Sequence, residues 1–286
     1  MLAILGLTGC AAPRALEPPE ALDVQGHRGF RGRLPENTLA GFEAAVVRGV
    51  TTLELDLQVT RDRVLVVHHD QRLDARRCRS SVGASLPDVP IKDLAWDALD
   101  GIDCGSLPHP DFPDQRPVAG ARIPRIEQVF EIVKESSYPV GLNLEIKMQR
   151  REDGIPLEEF AALLVNALDR HGLGDRAIVQ SYKPAALRAV ARLDPGLKLA
   201  ILAEKRRDYD RLLLESGASV LSPEFRRLRR RDVERFRARG VQVIPWTVNR
   251  PEDIRRLLAW GVEGIISDYP DRVLETLGRP SLPAGR

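Results

Sequence analysis

The chain has 286 residues, 43% of them hydrophobic and 29% charged, with a formal net charge of +2 at pH 7. That balance is ordinary for a globular protein, and it excludes a chain driven to nucleic acid by its overall charge. The length accommodates one large α/β barrel of about 250 residues or two small domains.

Residues 1–10, MLAILGLTGC, are apolar but too short to span a bilayer, which needs about 20 apolar residues. They read as part of an export signal. Leu7-Thr8-Gly9-Cys10 resembles a bacterial lipobox, implying cleavage before Cys10 and its lipidation. The expected location is the periplasmic side of a bacterial cell envelope, with membrane contact through the lipid. No basic region precedes the apolar run, so a start upstream of Met1 is expected. The alternative is an apolar N-terminus with an incidental cysteine. Residues 11–20, rich in Pro and Ala, suit a tether, which leaves 21–286 as one domain.

Periodicity then runs in order. Residues 22–26 read as a first strand ending at His27-Arg28-Gly29, and Pro35-Glu36-Asn37-Thr38 opens a helix that Gly49 ends. Either Asn37 or Thr38 can cap it. Residues 51–60 alternate strictly, with Leu53, Leu55, Leu57 and Val59 on one face and Glu54, Asp56 and Gln58 on the other. Residues 64–67 form a further strand into His68-His69-Asp70. Neighbouring side chains on a strand point oppositely, so only one of these two histidines faces a given site.

The segment 71–122 is rich in Gly, Pro and Asp and reads as an insertion after the second barrel strand, lying where a lid would sit. It holds Cys78 and Cys104. With Cys10 assigned to lipid, these two remain as a disulfide candidate in an oxidising compartment. A bridge would restrict the unfolded loop by roughly 3 kcal/mol; two unpaired buried thiols are the alternative.

A helix is expected over 123–135. Residues 140–147 then repeat the earlier alternation, with Leu142, Leu144 and Ile146 opposite Asn143, Glu145 and Lys147. From 157 onward helices and strands alternate to a closing helix over 270–277. The basic run 226–239 contains Asp232 and Glu234 and reads as a solvated helix face, with binding to an acidic surface as the second reading. About eight strand–helix units favour a closed TIM-type (β/α)8 barrel over a doubly wound sheet, and the polar residues of interest fall at strand ends, where such barrels carry their sites.

The block 26–70 concentrates three of the five histidines, a Glu-x-Asp pair and an arginine. Groups that move protons, hold a hard cation and grip phosphate together suggest metal-assisted phosphoester chemistry. The ordered set His27-Arg28-Gly29, Pro35-Glu36-Asn37-Thr38, Glu54-x-Asp56, His69-Asp70, Glu145-x-Lys147, Gln180-Ser181-Tyr182, Trp246-Thr247-Val248-Asn249 and Ser267-Asp268-Tyr269-Pro270 resembles the glycerophosphodiester phosphodiesterases.

The resemblance implies a TIM-type barrel that hydrolyses glycerophosphodiesters to sn-glycerol 3-phosphate and an alcohol. It implies Glu54, Asp56 and Glu145 as ligands of a divalent metal, Mg²⁺ or Ca²⁺, since three carboxylates offer hard oxygens. His27 and His69 would be the acid–base pair, in an unassigned order. Arg28 and Lys147 would neutralise phosphate oxygens, and Trp246 would wall the glycerol. His68 is expected to face the helices or the rim, and His109 and His171 to have no part. Two rivals are weighed beside this: a phospholipase D-like or C-like enzyme of the same superfamily acting on intact lipid, and a non-catalytic binding lipoprotein. The intact set of histidines and carboxylates argues against the latter.

Overall fold

The computed structural model describes residues 22–147 and 155–279. Cys10 and the expected leader lie outside the described residues. Eleven strands occur among the described residues, in chain order: β1 (Asp23–Gly26), β2 (Thr52–Val59), β3 (Leu65–Val67), β4 (Arg79–Ser80), β5 (Ile102–Asp103), β6 (Gly141–Ile146), β7 (Ala177–Ser181), β8 (Lys198–Ala203), β9 (Val220–Pro223), β10 (Gln242–Val243) and β11 (Gly264–Ser267). Nine helices accompany them among the described residues: α1 (Leu39–Arg48), α2 (Trp96–Asp100), α3 (Ile126–Glu135), α4 (Leu157–His171), α5 (Pro184–Leu193), α6 (Tyr209–Ser216), α7 (Arg230–Arg237), α8 (Pro251–Trp260) and α9 (Pro270–Thr276).

Eight strands run parallel in the order β10-β9-β8-β7-β6-β2-β1-β11. The ends of that row meet through Glu263 N–H to Val243 O at 3.1 Å and Ile266 N–H to Pro245 O at 3.0 Å, closing a TIM-type barrel. The expected architecture is therefore present.

The alternation of β2 has a structural meaning that differs from a half-exposed strand, because all eight of its residues are buried. Its leucines pack outward against the helices in one large cluster with Phe42, Phe130 and Leu164, each burial contributing roughly 1.5–3 kcal/mol. Its polar side chains point into the barrel. The interior is divided: Ile178, Ala200, Val220, Ile244 and Ile266 form an apolar cluster, with Trp246 packed against it. On the other side Asn143 Nδ2 donates to Gln25 Oε1 at 2.7 Å and to Gln180 Oε1 at 3.1 Å.

The strand expected over 64–67 is present as β3, which pairs antiparallel with β2 outside the parallel row and leads into the insertion. Two local expectations are corrected. The helix expected from residue 123 starts at Ile126, because Val67 N–H bonds Pro124 O and Arg125 bridges Val66, keeping those residues extended. The strand expected over 241–247 is only Gln242–Val243, and Pro245, lacking an N–H, cannot donate to a ladder.

The insertion is structured rather than irregular. β4 and β5 pair antiparallel, and Ile91, Leu94 and Leu99 form a small core with Val66 and Ile123. A Cys78–Cys104 disulfide ties its two halves.

Candidate active site

The turn after β1 is tight enough to dictate its residues. A side chain on Gly26 would meet Gly29 O at 2.2 Å, and Gly29 itself has φ +86° with Gly41 packed against it. Arg28 also sits at positive φ, 51°, and this turn aims its N–H at Glu54 Oε2, 2.9 Å away. Of the two capping candidates, Thr38 caps α1, its Oγ1 accepting from Gly41 N–H at 3.2 Å. Asn37 is thereby free, and its Nδ2 donates to Asp56 Oδ2 at 2.8 Å.

Strand register gathers the carboxylates. Asp56 lies directly beside Glu145 on the neighbouring strand, and Glu54 is two residues along the same inward face. Glu54, Asp56 and Glu145 are all buried, and one oxygen from each falls within 4.8 Å of the others. Burial, then Asp56 and Glu145, push the Glu54 carboxyl well above the ordinary range; burial pushes Glu145 up to about 7. Asp56 goes the other way: burial is overcome by Lys147 and Arg28, which hold it far below the usual carboxylate value. Lys147 Nζ lies 3.1 Å from Asp56 Oδ1 and 2.8 Å from Glu145 Oε1, yet Asp56 Oδ1 has no well-angled hydrogen bond. A crowded, buried, all-oxygen set of this kind fits a hard divalent cation, which would relieve the repulsion.

Two histidines flank the carboxylates. His27 Nδ1 is 2.6 Å from Asp268 Oδ1, and its Nε2 is 4.0 Å from Glu54 Oε2. Burial lowers its pKa against the opposing pull of Asp268. Asn249 Nδ2 in turn donates to Asp268 Oδ2 at 2.7 Å. His69 Nδ1 is 2.7 Å from Asp70 Oδ1. In both cases a carboxylate occupies Nδ1 and leaves Nε2 open. His68 is buried and turned elsewhere, toward a small cavity it shares with Glu36, Arg77 and His109.

Arg28 is committed more heavily than its sequence role suggests. It contacts Asp56 Oδ2 through Nε at 3.2 Å and Glu36 Oε1 through Nη1 at 3.0 Å. Glu36 also meets Arg31 at 2.5 Å, Arg77, and His109 Nε2 at 3.6 Å. Although burial opposes it, Arg28 and these neighbours hold the Glu36 carboxyl well below its ordinary value. Trp246 is half-buried, donates Nε1–H to Ser222 O at 2.8 Å, and stands edge-on to Tyr182 with ring centres 5.9 Å apart.

Sequence reasoning missed several of these. Asp268, Asn249 and Gln180 stand in the motif strings without a role; Gln180 Nε2 donates to Glu54 Oε1 at 2.8 Å. His109, read as having no part, is buried beside Glu36. Arg77 comes from the insertion and contacts both Glu36 and Asp70; its neighbour Cys78 was the only signal near it. His171 lies away from the site, against Lys134 and Phe130.

The statistical profile of the Glycerophosphoryl diester phosphodiesterase family matches residues 27–272. A glycerophosphodiester phosphodiesterase of Caldanaerobacter subterraneus is 32% identical over 253 residues, 88% of this chain and 96% of its own. Another from Bacillus subtilis is 30% identical, covering 90% of this chain and 86% of its own. Among solved structures, one from Silicibacter pomeroyi superposes with a TM-score of 0.85 at 29% identity, over 92% of this chain and 96% of its own. With the parallel barrel and the carboxylate–histidine cluster at its mouth, this makes the chain a phosphodiester hydrolase that belongs to the glycerophosphoryl diester phosphodiesterase family.

Proposed function

We propose that this enzyme hydrolyses glycerophosphodiesters to sn-glycerol 3-phosphate and an alcohol, with dependence on a divalent cation, Mg²⁺ or Ca²⁺, held by Glu54, Asp56 and Glu145. The observation that carries the reading is the buried carboxylate triad flanked by two histidines, each with Nδ1 on its own carboxylate. A cation bound there would act as a Lewis acid on a phosphate oxygen.

The chain's own residues supply the proton chemistry. One histidine Nε2 takes a proton from the attacking water as its oxygen forms the new P–O bond. The other, starting protonated, gives its proton to the alkoxide as the old P–O bond breaks. Asp268 and Asp70 keep each ring oriented. Arg28 and Lys147 offset the negative charge that builds on the phosphoryl oxygens, and both stay charged because acidic neighbours outweigh their burial. The lipobox-like Leu7-Thr8-Gly9-Cys10 supports an exported, lipid-anchored enzyme on the periplasmic side of a bacterial envelope.

Purified protein supplied with Mg²⁺ or Ca²⁺ is expected to release glycerol 3-phosphate from glycerophosphocholine and to stop when EDTA is added. Turnover indifferent to EDTA would remove the cation from the mechanism, and equal cleavage of intact phosphatidylcholine would favour the phospholipase reading.

A further inference from the structure

The loops after β8 and β9 carry a dense excess of positive charge at the C-terminal end of the barrel. They enclose a groove of about 660 Å³ lined by Lys205, Arg206, Arg207, Arg226, Arg227 and Arg229, with Glu204 as the one acidic residue in its lining. The strand order puts this groove across the barrel from the chemistry: four steps round the ring from β2, which bears Glu54 and Asp56, lies β9, and four steps from β1 lies β8. Both loops leave the C-terminal ends of their strands, so they open on the same face as the carboxylates.

Part of this charge is already neutralised. Arg206 is paired with Asp232 at 2.5 Å, and Arg226 and Arg227 share Glu224 at 3.3 and 3.9 Å. Lys205, Arg207 and Arg229 have no acidic side chain within ion-pair reach among the described residues, so the groove retains free cationic donors. Arg226 is propped over the Phe225 ring, 4.8 Å from its centre.

An aromatic pair stands between the groove's flank and β7. Phe225 N–H bonds Trp246 O at 2.9 Å, and Trp246 stands against Tyr182. Tyr182 follows β7, which lies in the ring between β6, bearing Glu145, and β8, whose loop begins at Glu204.

We propose that this groove is an anion subsite for the alcohol half of the diester, selecting substrates whose alcohol carries further phosphate groups. With the scissile phosphate at the carboxylates, the alcohol passes over Tyr182 and Trp246 and delivers its added charge to Lys205, Arg207 and Arg229. Trp246 then lines the alcohol rather than the glycerol. A one-signed cleft also raises the local concentration of such a substrate, an effect that salt suppresses.

This inference rests on the proposed hydrolysis, and the test separates the two. In kinetics on the full chain, kcat/KM for glycerophosphoinositol 4,5-bisphosphate is compared with that for glycerophosphoinositol. The bisphosphate is expected to be preferred about 5- to 10-fold at low ionic strength, falling toward parity at 0.5 M salt, as a few exposed ion pairs allow. Lys205→Glu with Arg207→Glu is expected to abolish or invert the preference, with an unaltered thermal unfolding transition reporting an intact fold. Absence of hydrolysis of either compound would overturn the proposed function. Hydrolysis of both without preference, or a preference that survives the charge reversal, would overturn the subsite alone. Binding of the unaltered protein, but not the variant, to phosphatidylglycerol vesicles with no substrate preference would reassign the groove to an anionic lipid surface and likewise overturn it.

Discussion

His27 and Asp268 are separated by 241 positions in sequence and by 2.6 Å in space. Asp268 fixes the tautomer and ring plane of His27, while Asn249 fixes Asp268 through paired contacts to its side chain and its backbone N–H. Asp268→Asn keeps the shape but removes the charge that supports a protonated ring. It is expected to lower kcat about 10- to 100-fold with KM little changed and thermal unfolding unaltered. His27→Ala should cost at least about 10²-fold, the low end for acid–base catalysis. An Asp268→Asn enzyme with unaltered kcat would reduce that carboxylate to a structural contact.

At the scale of elements, the insertion acts as a second frame for the site. Its small core seats α2, the disulfide holds Cys78, and the adjacent Arg77 reaches Asp70 and Glu36, the carboxylates that hold His69 and Arg28. Arg77→Ala is therefore expected to lower kcat about 10-fold, with Arg77→Lys restoring part of it. Cys78→Ser with Cys104→Ser should move kcat in the same direction and reduce stability by roughly 3 kcal/mol. Steady-state kinetics and denaturant titration of the three variants read both effects; full activity in all of them would detach the insertion from the chemistry.

Asp103 in β5 supplies a pH test of the same element. Burial opposes its ionisation, but Ser106 Oγ and the N–H groups of Gly105, Ser106 and Gly120 lower its pKa from 3.8 to about 2. A depressed folded value stabilises above the unfolded pKa and is lost as pH falls through the folded one. Asp103→Asn should thus cost roughly 1–2 kcal/mol at neutral pH, allowing for solvent screening, with the deficit fading between about pH 4 and 2. A deficit independent of pH over that window would assign it to lost packing.

For the whole molecule, the barrel builds one face from eight separate strand ends, and the carboxylate triad straddles β2 and β6. A cation bound there would link the two strands and favour the folded state. Saturating Mg²⁺ or Ca²⁺, at about 100 times its dissociation constant, should add roughly 2.7 kcal/mol of stability. Glu145→Gln should largely remove that gain in a thermal-shift titration; an equal gain in the variant would place the cation elsewhere.

Much of this was readable in the linear chain wherever the physical cause is local. Alternation in 52–59 separated inward acids from outward leucines, and the Gly-flanked His27 turn and a helix cap at Asn37 or Thr38 are set by residues a few positions apart. The strand–helix rhythm was sufficient for a barrel because a right-handed succession of parallel units closes on itself. What the tertiary structure alone decided is which distant groups meet. Asp268 on His27, Gln180 on Glu54, and Arg77 on Asp70 and Glu36 join residues whose spacing carries no periodic signal, because closure and disulfide-tied folding of the insertion, rather than local propensity, bring them together. The structure also turned β3 into an antiparallel spur, directing His68 into a side cavity and leaving His69 beside the carboxylates.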